Sequence, residues 1–308
     1  MAGARTRKKI RDVSLGDIDV FLALGGLLAG LLVGLTGMGG ALIVTPMLVL
    51  IFGVPPAAAV SSDLVAGAVM KPVGAWVHIR AQTVHWRLVL WISVGSVPGV
   101  LVGTWLFSGV RSTSGAEETL RTLIGLVVLV ALAAMLARRW VGRRAAQTQQ
   151  LSHIQQGTDM PVRVIPTVLM GALVGLLVGL TSVGSGSLVV TVLLLMYPLL
   201  RPSVLVGTDL TQAVPMLIAG AIAHAGLGEI LVPVVASLLL GQIPGIWIGA
   251  RMSARYDGSA LRWLLMAVLA ATAAKMLGAS SLVAGAVGVL GICAAGLAAL
   301  RTRNSRTA

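Results

Sequence analysis

The 308-residue chain is 57% hydrophobic and only 11% charged, with a mean hydropathy of +0.96, which excludes a soluble globular domain and points to a polytopic membrane protein. The net charge of +13 would suggest nucleic acid in a soluble protein. Here the basic residues collect in the two termini and one central stretch, where positive charge orients spans and meets anionic lipid.

In chain order, apolar runs at about 18–52, 57–79, 88–109, 120–137, 164–197, 204–226, 230–250, 260–278 and 280–300 are mostly long enough to cross a core of about 30 Å as helices. None alternates as barrel strands do, so the fold is expected to be all-α. Residues 1–16 form a basic tail, expected to be cytoplasmic. The run that follows is too long for a signal-peptide core and reads as an uncleaved first span. It carries Gly37-Met38-Gly39-Gly40 at its middle, and glycines there weaken a helix by about 1 kcal/mol each relative to alanine. A helix that breaks at Thr36 to Gly40 and restarts as a half-helix is therefore expected.

The second run begins with Gly53-Val54-Pro55-Pro56 and Ser61-Ser62-Asp63, an N-cap-like cluster, and continues through Lys71-Pro72 to His78. A basic loop from Arg80 to Arg87 precedes a span with Gly95, Pro98-Gly99 and Gly103, small residues that let helices approach closely. A fourth span ends at Arg138-Arg139. Residues 138–163 are the one long hydrophilic interior stretch and read as a linker between halves.

After the linker the chain repeats itself. Gly30 to Thr36 recurs letter for letter as Gly175 to Thr181. Asp63 matches Asp209, His78 matches His224, and Gly95, Gly99 and Gly103 match Gly241, Gly245 and Gly249 at an offset of about 146, which is duplication. The expected fold is thus two homologous repeats of about four transmembrane helices each (17–137 and 164–278), with glycine-broken first helices, one extra C-terminal helix (279–300) and a basic tail (301–308). With an even number of crossings per half, the N-terminal tail, the Arg80 to Arg87 loop and the linker share the cytoplasmic side. If each glycine-broken segment crosses twice, the repeats become inverted instead.

No HExxH, Walker lysine loop, GxSxG or Cys/His cluster is present, so neither an enzyme nor a bound metal or cofactor is expected. The single cysteine, Cys293, excludes a disulfide framework. Helix breaks in corresponding positions of two halves suggest a ligand site, because freed N–H groups and the positive end of a restarting helix hold anions. Thr36, Gly37, Gly39 and Gly40, with Thr181, Ser182, Gly184, Ser185 and Gly186, are the candidates. Gly30, Gly34, Gly175 and Gly179 fit packing better.

Ionisable residues at bilayer depth are costly and tend to face a cavity or a partner. Lys71, whose repeat equivalent is Leu217, is expected to pair with Asp63 or attract the anion. Asp63 and Asp209 either cap equivalent helices or couple transport to a proton or cation. His78 and His224 either serve as helix-end partners or titrate in coupling. Gln212 can donate to an oxyanion or bond across helices.

The Gly-Leu-Thr-Gly-Met-Gly-Gly-Ala-Leu-Ile-Val-Thr-Pro run at 34–46, the Ser61-Ser62-Asp63 helix, and Gly-x-x-Pro-Gly at 95–99 and 241–245 together resemble the TauE/SafE family of sulfite and sulfonate exporters, over about 20–300. The second copy departs from the pattern, reading Ser-Val-Gly-Ser-Gly-Ser at 182–187. The resemblance implies a multi-pass secondary carrier in the bacterial inner membrane. Its partners would be membrane lipid and a small sulfur-containing anion such as sulfite, thiosulfate or sulfoacetate. Another small organic anion, or a non-transporting assembly subunit, is the alternative. Proton or sodium coupling and a homodimer stay open.

Overall fold

The computed structural model describes residues 19–36, 40–152, 160–252 and 259–290, and its regular structure there is helical. The helices are α1 (Val20–Thr36), α2 (Ala41–Leu50), α3 (Pro56–Arg80), α4 (Trp86–Arg111), α5 (Ala116–Ser152), α6 (Val164–Thr181), α7 (Ser187–Met196), α8 (Pro202–Ala225), α9 (Val232–Met252) and α10 (Ser259–Met276), followed by α11 (Ser281–Leu290). Five stretches are long and apolar enough to cross a membrane: α4, Ala116–Ala137 of α5, α6, α8 and α9. The 25-residue α3 has ample length to span at about 1.5 Å per residue, and its hydropathy is lowered by Ser61, Ser62, Asp63, Lys71 and His78. The first helix of each half is broken, three more follow, and α11 is the extra helix.

The breaks do more than interrupt a span, because at each one the chain turns back. In α1, Gly25 lies so close to Met47 of α2 that an added Cβ would meet the Met47 side chain at 2.8 Å, whereas in one straight helix the two positions would be about 33 Å apart. In the second half, the Tyr197 hydroxyl, just past α7, accepts from the Arg163 backbone N–H at 2.9 Å and shares a hydrogen bond of 2.8 Å with Thr167 at the start of α6. Each broken helix therefore folds back as a helical hairpin, and the second tip, Ser182 to Gly186, is buried inside the protein.

This reversal fixes the relation between the halves. Gly67 faces Leu217, Gly74 faces Leu210, and Gly220 faces Leu64, so the equivalent helices α3 and α8 run antiparallel at the centre. Two copies of one element packed antiparallel are related by inversion, the arrangement expected when each broken segment traverses twice. The start of α1 and the 81–85 loop accordingly lie on opposite faces, contrary to the expectation that the N-terminal tail and the Arg80 to Arg87 loop share a side. The tail itself, with the rest of 1–18, lies outside the described residues. Helix α5 continues to Ser152, into the stretch expected as linker.

Each half inserts its first helix into the other. Helix α1 packs along α9 and α6 packs along α4, both in parallel. The close approach runs over glycines. Gly26, Gly30 and Gly34 sit against the backbone at Leu238, Gln242 and Ile246; Gly171, Gly175 and Gly179 sit against Ile92, Ser96 and Val100. Gly95, Gly99, Gly103, Gly241, Gly245 and Gly249 return the contact onto α6 and α1. A Cβ at Gly34 would lie 2.5 Å from the Ile246 carbonyl oxygen, so this spacing tolerates no side chain. With no hydrophobic drive between helices in lipid, such backbone approach is what holds them together.

Outside this seam, large apolar side chains face outward, among them Phe21, Leu24 and Leu28 on α1 and Ile165, Leu169 and Leu173 on α6. In a membrane these stripes meet lipid. Arg80 stacks over the Trp76 ring at 4.3 Å and Arg251 over Trp247 at 3.7 Å, both near helix ends on the face carrying the 81–85 loop, as interfacial anchors do.

Candidate functional site

The second hairpin tip is built by a short sequence with unusual backbone. Helix α6 stops because Ser182 adopts φ 59°, in the left-handed region, with its N–H still bonded to the Val178 carbonyl at 2.7 Å. Gly184 follows at φ +120°, a conformation L side chains rarely adopt. The chain then restarts as α7 with Gly186 at its N-cap and no side-chain cap, leaving the first N–H groups of a ten-residue helix without side-chain acceptors.

Helix α3 aims its polar side chains at this tip. The Asp63 carboxylate oxygen Oδ2 accepts from Ser182 Oγ at 2.9 Å and from Thr45 Oγ1 of α2 at 2.5 Å. Lys71 Nζ donates to Ser185 Oγ at 2.8 Å and lies within electrostatic reach of both Asp209 and Asp63. All three charges are enclosed, with Asp63, Lys71 and Asp209 4%, 2% and 0% exposed. Asp63 and Lys71 are eight residues apart, about 12 Å along the helix. With antiparallel α8 placing Asp209 beyond Lys71, the order along the bundle axis is carboxylate, ammonium, carboxylate. Gln212 Nε2 donates to Asp209 Oδ1 at 3.2 Å.

The two aspartates are not helix caps. Helices α3 and α8 begin at Pro56 and Pro202, so each carboxylate sits two turns inside its helix, where it terminates no N–H groups. This removes the capping alternative and leaves two carboxylates buried beside a buried ammonium. Thr181 contributes differently from the expectation of an anion contact. Its hydroxyl donates to the Leu177 carbonyl at 2.7 Å and accepts from Val183 N at 3.2 Å, so it shapes the turn. Ser187, at the first turn of α7, is 1% exposed and its Oγ has no hydrogen-bond partner among the described residues.

His224 stands beside this tip and locks it. In an unbroken helix the Gly179 carbonyl would take the Val183 N–H, which goes instead to Thr181 Oγ1. His224 Nε2 fills the vacancy at 3.0 Å while its Nδ1 pairs with Ser61 Oγ at 2.9 Å, and Phe107 packs against the ring with centroids 4.6 Å apart. A neutral ring donating from Nε2 and accepting at Nδ1 satisfies both contacts. His78, its repeat counterpart, lies at the opposite end of the bundle, bonded through Nδ1 to Thr83 Oγ1 at 2.9 Å.

The first tip cannot be compared in full, since Gly37, Gly39 and the Thr36 side chain fall outside the described residues. Gly40 is buried, and a Cβ there would meet Val33 at 3.0 Å. Of the sequence candidates, Ser182, Ser185, Lys71 and Asp63 are thus brought directly together. Asp209 and Gln212 stand adjacent across α8, and His78 stands apart. Sequence reasoning overlooked Thr45 and Ser61 as partners, although Thr45 lies in the glycine-run motif and Ser61 directly precedes Ser62-Asp63. No group of three or more His, Cys, Asp or Glu residues able to hold a metal occurs among the described residues.

Comparison with known proteins gives one family and several relatives. Residues 22–276 match the family model described as sulfite exporter TauE/SafE. The chain is 31% identical over 264 residues to the probable membrane transporter protein YjnA of Bacillus subtilis, covering 84% of this chain and 100% of that one. It is 25% identical to the probable membrane transporter protein YdhB of the same organism, covering 73% and 86% of the two chains. It is 23% identical to the probable membrane transporter protein MJ0441 of Methanocaldococcus jannaschii, covering 80% and 91%. No solved structure gives a significant match.

Proposed function

The chain belongs to the sulfite exporter TauE/SafE family of membrane transporters, and from that premise we propose that it is a secondary carrier of small sulfur-containing anions, binding them at the second hairpin tip. The observation that carries this reading is the buried Lys71 ammonium on Ser185, at the uncapped start of α7. An ammonium, the Ser185 hydroxyl, the unpartnered Ser187 hydroxyl and a helix N-terminus together offer several donors to one oxyanion. A tetrahedral or pyramidal oxyanion with three or more acceptor oxygens uses such a cluster better than a carboxylate with two. The inverted halves support opening by rocking of one half against the other.

The bacterial inner membrane is the proposed location. Arg80, Arg87, Arg163, Arg201 and Arg251 lie on the face of the 81–85 loop. The opposite face mixes Arg111, Arg121 and Lys275 with Glu117, Glu118 and Glu229, where Arg111 pairs with Glu229 at 2.7 Å. Counted over the described residues, Lys and Arg bias favours a cytoplasmic 81–85 face, a proposal that puts the start of α1 outside, against the expectation of a cytoplasmic basic tail at 1–16.

Flux of radiolabelled sulfite, thiosulfate and sulfoacetate into proteoliposomes tests the reading. Uptake of at least one above empty vesicles is expected. Absence of uptake for all three, with a labelled carboxylate transported instead, would move the substrate to the other organic-anion class.

A further inference from the structure

Resting on the second tip as the anion site, we infer that Asp63 takes up a proton when the anion binds, so that anion and proton travel together. Before binding, Asp63, Asp209 and Lys71 sum to one negative charge in a site shut off from water. A sulfur oxyanion adds one or two more. Unbalanced charge at bilayer depth is costly, and a proton on one of the carboxylates lowers the excess by one, returning the site to its resting charge for a monoanion and halving the added charge for a dianion.

The hydrogen bonds select which one. Asp209 accepts a hydrogen bond from the amide Nε2 of Gln212 and attracts the Lys71 ammonium. Protonating it would weaken its hold on the ammonium that the anion needs. Asp63 is held by two neutral hydroxyls, Thr45 and Ser182, both donating to the same oxygen. A hydroxyl accepts as readily as it donates. When the proton arrives on Asp63 Oδ2, the new O–H donates to Thr45 Oγ1, and the Ser182 hydroxyl is released to turn its own hydrogen toward the anion beside Ser185. The proton thus neutralises one repelling charge and frees a donor in one step. Removing the anion reverses both.

Among the described residues, Lys71 on its own helix is the charged group acting on Asp63; Asp209 on α8 lies beyond Lys71, and His224 reaches α3 through Ser61. Helix α2 and the tip present hydroxyls. His224 has both ring nitrogens engaged by Ser61 and Gly179, and taking it as the carrier would break the lock on α6.

The test uses the purified full-length protein in weak buffer with a pH indicator dye, and thiosulfate as the probe because it does not titrate near neutrality. Uptake of about one proton per thiosulfate bound is expected. Binding should weaken about tenfold per pH unit once Asp63 is ionised in the empty protein, the slope for one linked proton. Asp63→Asn should bind thiosulfate with no proton uptake and a flat pH dependence. Thiosulfate binding without proton uptake by the unmodified protein, or binding that requires sodium at constant pH, would overturn the inference while leaving the anion site standing. Failure of thiosulfate, sulfite and sulfoacetate alike to bind at any pH would overturn the anion reading and this inference with it. The measurement on the unmodified protein decides the matter even if Asp63→Asn does not fold.

Discussion

At the scale of single residues, the site depends on pairing a few buried polar groups with the irregular backbone of one tip. Lys71 is the residue whose loss should be felt most by the substrate. A hydrogen bond involving a charged group contributes roughly 1.5–3 kcal/mol, so Lys71→Ala should weaken anion binding by about tenfold to a hundredfold, as read by titration of the purified protein. Unchanged affinity would remove the lysine from the site. His224 has a different task. His224→Ala leaves the Gly179 carbonyl and the Ser61 hydroxyl without their partner, at about 1–3 kcal/mol for each buried group. A clear fall in melting temperature in detergent is expected. His78→Ala, at a site where only one ring nitrogen is bonded, should lower it less.

At the scale of elements, the two parallel seams of α1 with α9 and α6 with α4 are held by glycine against backbone. Gly99→Val and Gly245→Val occupy equivalent positions against the Ala172 and Leu27 carbonyls. Each should destabilise the protein by similar amounts, about 1–3 kcal/mol or more from overpacking, measured as loss of folded material on size-exclusion chromatography after heating. Gly109→Val, where a Cβ meets nothing within 4 Å, is the matched control and should be nearly neutral. The sequence made these glycines legible as packing residues because their spacing is helical and duplicated. It could not reveal that each seam joins opposite halves, since spacing along one helix is silent about its partner. The tip was legible for the same reason that glycine is, through backbone freedom. The reversal at the tip was not legible, because a kinked span and a hairpin need the same composition. The aspartates illustrate the limit further: Ser61-Ser62-Asp63 has the composition of a cap, yet Pro55-Pro56 starts the helix two turns earlier.

For the whole molecule, antiparallel α3 and α8 give two halves of opposite orientation around one asymmetric cluster of buried polar groups. Only the first half carries the lysine, with Leu217 at the equivalent place, and only the second tip carries the serines that meet it. Duplication thus supplies the frame, and departure from it supplies the chemistry. On the proposed orientation, a cysteine introduced at Thr83 should be shielded from membrane-impermeant thiol reagent in intact cells, and one at Gly228 should be labelled, with Cys293 replaced by alanine beforehand; the reverse pattern would overturn that orientation. The central claim, that the second tip holds an oxyanion, is tested most directly by a crystal structure with selenite in place of sulfite, read by anomalous scattering from selenium. The account predicts a selenium peak within hydrogen-bonding reach of Lys71 Nζ and Ser185 Oγ, lost in Lys71→Ala. A peak at the first tip alone, or one unmoved by that substitution, would contradict it.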